Sequence, residues 1–158
     1  GDYLAMPIAF QYGQDYYIDD FVCDNSKADL LISRVARKLY DKGVQLCRIE
    51  SNRGGTLFAQ DVERELQNLG GTTHITTKWT QTNKETRIEV SSAWVKAHCL
   101  FKYESEYDKE YRTAMNFLCS YTMMGKNKHD DVPDSLSMLT NFVSNRSTTK
   151  VQILKRKF

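Results

Sequence analysis

An α/β fold built on a mixed sheet flanked by helices is predicted by three features of this sequence. Two β-rich runs near the start are joined by a short polar turn, an amphipathic helical stretch then leads into a short apolar strand, and a second helix and strand repeat the alternation. A hairpin followed by a helix and a strand implies a crossover, with the new strand lying parallel to an earlier one.

Each element has its own local warrant. Residues 3–10 and 16–23 are apolar and β-prone, with Gly13-Gln14-Asp15 as the turn of a hairpin. Pro7 inside the first run points to an edge position or a bulge. Asp19 and Asp20 end the strongest part of the second run and read as surface residues. Asp24-Asn25-Ser26 supplies helix-capping side chains, and Ala28, Leu31, Val35 and Leu39 form a helical stripe that Gly43 closes. Residues 44–49 follow as a strand ending at Glu50, and Ser51-Asn52-Arg53-Gly54-Gly55 reads as a turn or a close backbone approach. A helix over residues 56–69 carries Phe58, Val62, Leu66 and Leu69 inward, and residues 72–80 alternate as a strand. Residues 94–103 read as a strand or hairpin arm. Tyr107, Tyr111, Ala114, Leu118 and Tyr121 give a helix whose aromatic stripe is core. A last helix starts near Pro133, with Val132, Leu136, Leu139 and Val143 on one face, and residues 150–154 alternate as a final short strand.

The chain has 158 residues, enough for one domain with a buried core, and 41% hydrophobic with 27% charged residues is ordinary for a globular protein. No apolar run reaches the length of a membrane span, and no signal-peptide pattern is present. Cys23, Cys47, Cys99 and Cys119 are widely spaced in apolar stretches, which predicts buried free thiols in a reducing compartment rather than disulfides. Three scattered histidines make a structural zinc site improbable, and the GxGxxG, P-loop and His-Glu-x-x-His patterns are absent. The net charge of +2 conceals a basic tail: residues 144–158 hold five basic residues and no acid, so the rest carries 17 basic residues against 20 acids. A basic tail on an acidic body suggests a polyanion partner. The division is therefore a domain over residues 1–143 and a basic tail over 144–158.

One stretch concentrates chemistry. Lys128-His129-Asp130-Asp131-Val132-Pro133-Asp134 places three carboxylates and an imidazole at the mouth of the last helix. One Asp suffices for a cap, and three repel unless a cation or protons neutralise them. A helix cap and an edge for a hard cation such as Mg²⁺ stand level on spacing alone. Glu50, at the C-terminal end of a strand, lies where open α/β sheets gather ligands, though an exposed strand-end Glu is the commoner case. Lys84 and Arg87 stand one helical turn apart, placed equally well to reach phosphate or to pair with Glu85 and Glu89.

Gly1-Asp2-Tyr3, Glu50-Ser51-Asn52-Arg53-Gly54, Asn83-Lys84-Glu85-Thr86-Arg87-Ile88 and His129-Asp130-Asp131-Val132-Pro133-Asp134-Ser135-Leu136 occur in an order that resembles a known family. The chain looks like the C-terminal nuclease domain of the terminase large subunit of tailed phages, which cuts and packages viral DNA. The resemblance spans nearly the whole chain, and its most specific stretch is residues 129–136. It implies a ribonuclease-H-like fold and two-metal phosphodiester hydrolysis with Mg²⁺ or Mn²⁺. Glu50 and Asp131 would be metal ligands, Asp130 or Asp134 would add a ligand or place a metal-bound water, and His129 would lie near the scissile phosphate. Arg53, Lys84, Arg87 and Lys128 would follow the DNA backbone. The implied partners are double-stranded DNA, the terminase ATPase domain of the same polypeptide, the small terminase subunit and the portal, with no membrane, in the cytoplasm of an infected or lysogenic bacterial host. One departure matters: in the family the first catalytic Asp lies on a strand preceding the Gly-x-Asp-Tyr-like segment, and this sequence begins at that segment. A start downstream of that strand, a missing segment, or a different start to the sheet would each account for it. Residues 150–154 or another chain are candidates to fill the gap. Two other readings stand beside the terminase nuclease: another ribonuclease-H-like nuclease of resolvase type, and a non-catalytic DNA-binding or assembly module.

Overall fold

In the computed structural model the backbone is described for residues 2–157 and the side chains for residues 2–145. The chain runs β1 (Leu4–Tyr12), β2 (Asp15–Asp24), α1 (Ala28–Asp41), β3 (Leu46–Glu50), α2 (Gly55–Asn68), β4 (His74–Lys78), α3 (Lys84–His98), β5 (Cys99–Phe101), a 3₁₀ turn (Glu104–Glu106), α4 (Lys109–Ser120) and α5 (Asp131–Lys157). Strand pairing is mixed and helices flank it, an α/β arrangement consistent with a ribonuclease-H-like fold.

The strands form two sheets, ordered β1-β2-β5 and β3-β4. β1 and β2 make the antiparallel hairpin, with β1 at the edge and a register shift between Ile8 and Ala9, one residue past Pro7. Pro7 thus has both predicted features, because a residue without an N–H is tolerated where the ladder is open or irregular. The crossover differs from expectation. β3 pairs in parallel with the later β4 rather than with an earlier strand, and the hairpin's parallel partner is β5 beside β2.

The hairpin buries both faces. Ile18, Phe21 and Cys23 pack with Tyr111, Ala114, Val132 and Leu136 of α4 and α5. Val22 points the other way, into a cluster with Val35, Leu39, Cys47, Val62 and Leu66 from α1, β3 and α2. Successive strand residues face opposite sides, so neighbouring Phe21 and Val22 serve different cores. The Tyr111 hydroxyl donates to the Ile18 carbonyl at 2.7 Å and accepts from the Lys102 N–H at 3.1 Å, which lets a phenol sit at 1% exposure.

Between the two sheets lies a cavity of about 420 Å³. It is bordered along β1 from Ala5 to Gln11 and along β3 from Leu46 to Arg48, with Met138, Leu139 and Phe142 of α5 on one side and Leu39 of α1 on the other. The edges of β1 and β3 that are unpaired among the described residues both border it.

Four expectations are corrected. Asp20 is 5% exposed rather than a surface residue: its carboxylate takes the Lys38 ammonium at 2.8 Å and the Phe21 N–H at 2.9 Å. Asp24 does not cap α1, whose N-cap is Lys27 with no side-chain bond; it folds onto the Ser26 N–H and hydroxyl and holds Arg34. The strand expected over residues 94–103 shrinks to three residues, because α3, capped by Asn83 on the Thr86 N–H, continues to His98. The backbone of residues 150–154 is helical within α5 and not a strand, and their side chains lie outside the described residues. Of the cysteines, Cys23, Cys47 and Cys99 are buried free thiols and Cys119 is exposed. Burial pushes the Cys47 thiol up to about 12 and the Cys99 thiol up to about 11. No helix among the described residues is long and apolar enough to cross a membrane.

Candidate active site

The N-termini of α3 and α5 lie side by side and interlock by charge. Lys84 and Arg87 are three apart on α3, and Asp131 and Asp134 are three apart on α5, so one helical turn on each side is in register. The Lys84 ammonium donates to Asp131 Oδ1 at 2.7 Å and to Asp130 Oδ1 at 3.1 Å. Arg87 forks onto Asp134, with Nε to Oδ1 at 3.0 Å and Nη2 to Oδ2 at 2.8 Å. Asp134 is nearly buried, and the Ser137 hydroxyl donates to its Oδ1 at 3.0 Å.

A helix N-terminus favours acids and disfavours cations. The acids of α5 are therefore well placed, and the cations of α3 are tolerated because they face those acids. Burial pulls the Lys84 ammonium down, but the bonds to Asp131 and Asp130 outweigh it and hold its pKa above the ordinary lysine value. The bond to Asp134 likewise raises Arg87. The two sets answer each other: Lys84 and Arg87 pair with the acids of α5 rather than with Glu85 and Glu89 of their own helix. The matched three-residue intervals were the signal available in the sequence.

Glu50 comes from the other sheet. It ends β3, and the turn Ser51-Asn52-Arg53-Gly54 folds tightly behind it: a Cβ at Gly55 would sit 1.7 Å from the Glu50 carbonyl oxygen. The glycine pair is thus both turn and close approach, with Gly54 at φ +82° and the exposed Arg53 itself left-handed at φ +52°. The Glu50 carboxylate accepts a short hydrogen bond from the Thr80 hydroxyl, and Asn52 clamps the Thr80 backbone through its amide. Beyond the bond to Asp134, the charges of Glu50 and Asp130 also raise the pKa of Arg87.

The start of the chain also reaches the acids of α5. The Tyr3 N–H donates to Asp131 Oδ2 at 2.9 Å, immediately before β1. His129 packs edge-on against Tyr3, ring centroids 5.3 Å apart, and against Phe117 at 4.6 Å. Lys128 is exposed. Sequence reasoning did not single out Thr80, which holds Glu50, nor Asn141, on which Arg48 and Lys78 converge. Alternation along β3 was the available sign for Arg48, which shares a face with Glu50.

Hard divalent cations require several oxygens from one locus. Among the described residues no three Asp, Glu, His or Cys side chains gather closely enough to hold a metal ion. Asp130 and Asp131 already share the Lys84 ammonium, and Asp134 is forked by Arg87. By themselves these residues do not fit a two-ion site.

Mixed strand pairing and flanking helices define an α/β domain, with Glu50 at a strand end and the other acids at the start of α5. A family model described as Terminase Bacteriophage T7, Ribonuclease H-like domain, matches residues 1–98, from the start of the chain through α3, and the chain belongs to that family. No curated protein matches the chain.

Proposed function

We propose that this chain is the metal-dependent endonuclease part of a terminase large subunit, cleaving double-stranded viral DNA during packaging. The observation that carries the reading is the set of acids at the facing N-termini of α3 and α5, with Asp130 and Asp131 on Lys84 and Asp134 on Arg87, and with Glu50 at the end of β3 adding its charge at Arg87. In this reading Glu50 and Asp131 are the metal ligands, Asp130 or Asp134 supplies a further oxygen, and His129 stands near the scissile phosphate. Arg53 and Lys128, both exposed, together with Lys84 and Arg87, follow the DNA backbone.

The resemblance places a first catalytic Asp on a strand that these 158 residues do not include. A segment carrying it, from the same polypeptide or from another chain, would complete the ligand set and could pair with the open edges of β1 and β3. The wider partners are the ATPase domain of the same large subunit, the small subunit and the portal, in the cytoplasm of a bacterial host.

Plasmid nicking with Mn²⁺ tests this, using the 158-residue chain, the polypeptide extended upstream, and Glu50→Ala and Asp131→Ala in the extended form. The extended form is expected to nick, and each substitution to reduce the rate by about 10²–10³-fold or more, the scale of removing one group positioned on a developing charge. An extended form that nicks equally well with both substitutions overturns the ligand assignment. A second reading, a non-catalytic DNA-binding or assembly module, is favoured by the Lys84 ammonium neutralising Asp130 and Asp131. It predicts salt-sensitive DNA binding and no cutting at any Mn²⁺ concentration, even in the extended form.

A further inference from the structure

Lys84 and Arg87 each face a carboxylate of α5, whereas two other cations do not. Arg48 Nη1 and Lys78 Nζ both donate to the side-chain oxygen of Asn141, at 2.8 and 3.0 Å. Asn145 Nδ2 also approaches that oxygen, at 3.4 Å. A neutral amide oxygen with two lone pairs cannot satisfy a guanidinium and an ammonium together. Among the described residues neither cation has a carboxylate within ion-pair distance. The sequence of α5 beyond Asn145 adds basic residues and no acid.

The Arg48 guanidinium lies 4.4 Å over the Phe142 ring, which fixes its plane and leaves its edge for hydrogen bonding. Burial holds its pKa below the ordinary arginine value, as expected of a cation desolvated without a counter-charge. Arg48 and Lys78 line a groove of about 500 Å³ that continues past Thr82 to Arg87 at the carboxylate end. Trp79 and Val90, 59% and 79% exposed, form its apolar rim.

Spacing ties this groove to the candidate active site. Arg48 precedes Glu50 by two residues on β3 and so shares its face one pleat repeat away, about 6.5 Å, while Lys78 is the register partner of Glu50 on β4. That stride is comparable to the separation of neighbouring phosphates along one nucleic-acid strand. Resting on the nuclease reading, we infer that Arg48 and Lys78 clamp a backbone phosphate of duplex DNA one nucleotide from the phosphate at the Glu50–Asp131 end, with the Asn141 oxygen standing in for it in the free protein. The bidentate geometry of a guanidinium beside the point charge of an ammonium suits a phosphodiester. The contact fixes register and carries no base specificity.

The test is fluorescence anisotropy of a labelled DNA duplex with the 158-residue chain in EDTA, across a NaCl series, beside thermal melting of each variant. Arg48→Gln with Lys78→Gln is expected to weaken binding about tenfold and to reduce the slope of log K against log salt by about 0.9, the signature of one lost phosphate. Asn141→Asp gives both cations an internal carboxylate. It is expected to weaken DNA binding similarly while holding or raising the melting temperature, an outcome that a purely structural role for the two cations would not produce. Lys27→Gln, at the start of α1, serves as the comparison and should leave the slope unchanged. Unchanged affinity and slope in both the double variant and Asn141→Asp overturn the inference, as does a wild-type chain that binds no duplex. If the extended polypeptide still nicks plasmid when the slopes do not move, only the phosphate clamp falls; if it neither binds nor nicks, the nuclease reading falls with it.

Discussion

Two regions of this molecule join acids to cations, and they do so to different ends. Along α1, Arg34, Lys38 and Lys42 recur every four residues and meet Asp24 with Glu110, Asp20, and Asp19 in turn. This ladder rivets one helix to the strand that precedes it and to α4. At the other locus Lys84 and Arg87 meet Asp130, Asp131 and Asp134 across two helices far apart in sequence, beside Glu50 and the start of β1. Both are dense and well paired, so the density of ion pairs does not distinguish function from scaffold. Position does differ: the second cluster joins the N-termini of two helices beside the strand-end Glu50, and the first runs along a single helix.

The contrast can be broken by substitution. Asp20 is the most buried member of the ladder, so Asp20→Ala strands the Lys38 ammonium and removes the acceptor for the Phe21 N–H. A loss of about 3 kcal/mol in denaturant unfolding is expected, with nicking by the remaining folded protein unchanged. Arg87→Met should cost somewhat less, roughly 2 kcal/mol, because Asp134 keeps the Ser137 hydroxyl. Its effect on nicking should exceed what the unfolded fraction explains. Were Asp20→Ala to abolish nicking in folded protein, or Arg87→Met to leave it intact, the division between scaffold and site would be wrong.

The smallest effect concerns pH. Hydrogen bonds from Ser26 and the Arg34 guanidinium hold the Asp24 carboxyl below its ordinary value. A depressed carboxyl contributes stability that is present above its unfolded pKa, near 3.9, and lost as pH falls through the folded value. The melting temperatures of wild type and Asp24→Asn should therefore differ at pH 6 and converge as pH falls below about 4. Lys84 and Arg87 are shifted upward, so their contribution is constant through neutral pH and fades only in strong alkali. A melting difference that persisted for Asp24→Asn at low pH would assign the ladder's effect to packing rather than charge.

Much of the architecture was legible because the local patterns were strong. The hairpin, α1, β3, α2 and β4 carry clear alternation or a helical stripe, and each stands within a few residues of its predicted place. α3 was not legible as a helix: its buried positions are Ile88 and Ser91, and a small hydroxyl on a packed helix face leaves no apolar stripe to read. The short run at 150–154 fits a period of two as easily as part of a helix, and five residues cannot separate the two. In the site, the gathering of acids at residues 130–134 was readable from sequence. That Asp134 would be buried under Arg87, and Asp20 under Lys38, depends on pairings 47 and 18 residues apart, which no local pattern encodes.

The cavity between β1 and β3 has a consequence for how the molecule comes apart. The hairpin feeds one hydrophobic cluster on each face, but among the described residues β3 and β4 share no backbone ladder with it, and side-chain packing joins the two sheets. Ladder bonds transmit strain directly, whereas packed side chains let neighbouring units open separately. The β3–β4 unit should therefore exchange its amide hydrogens through partial openings that spare the hairpin. A segment laced into both edges would merge the two into one cooperative unit, and Glu50 would then be held at the same height as Asp131 by the same lattice of backbone bonds.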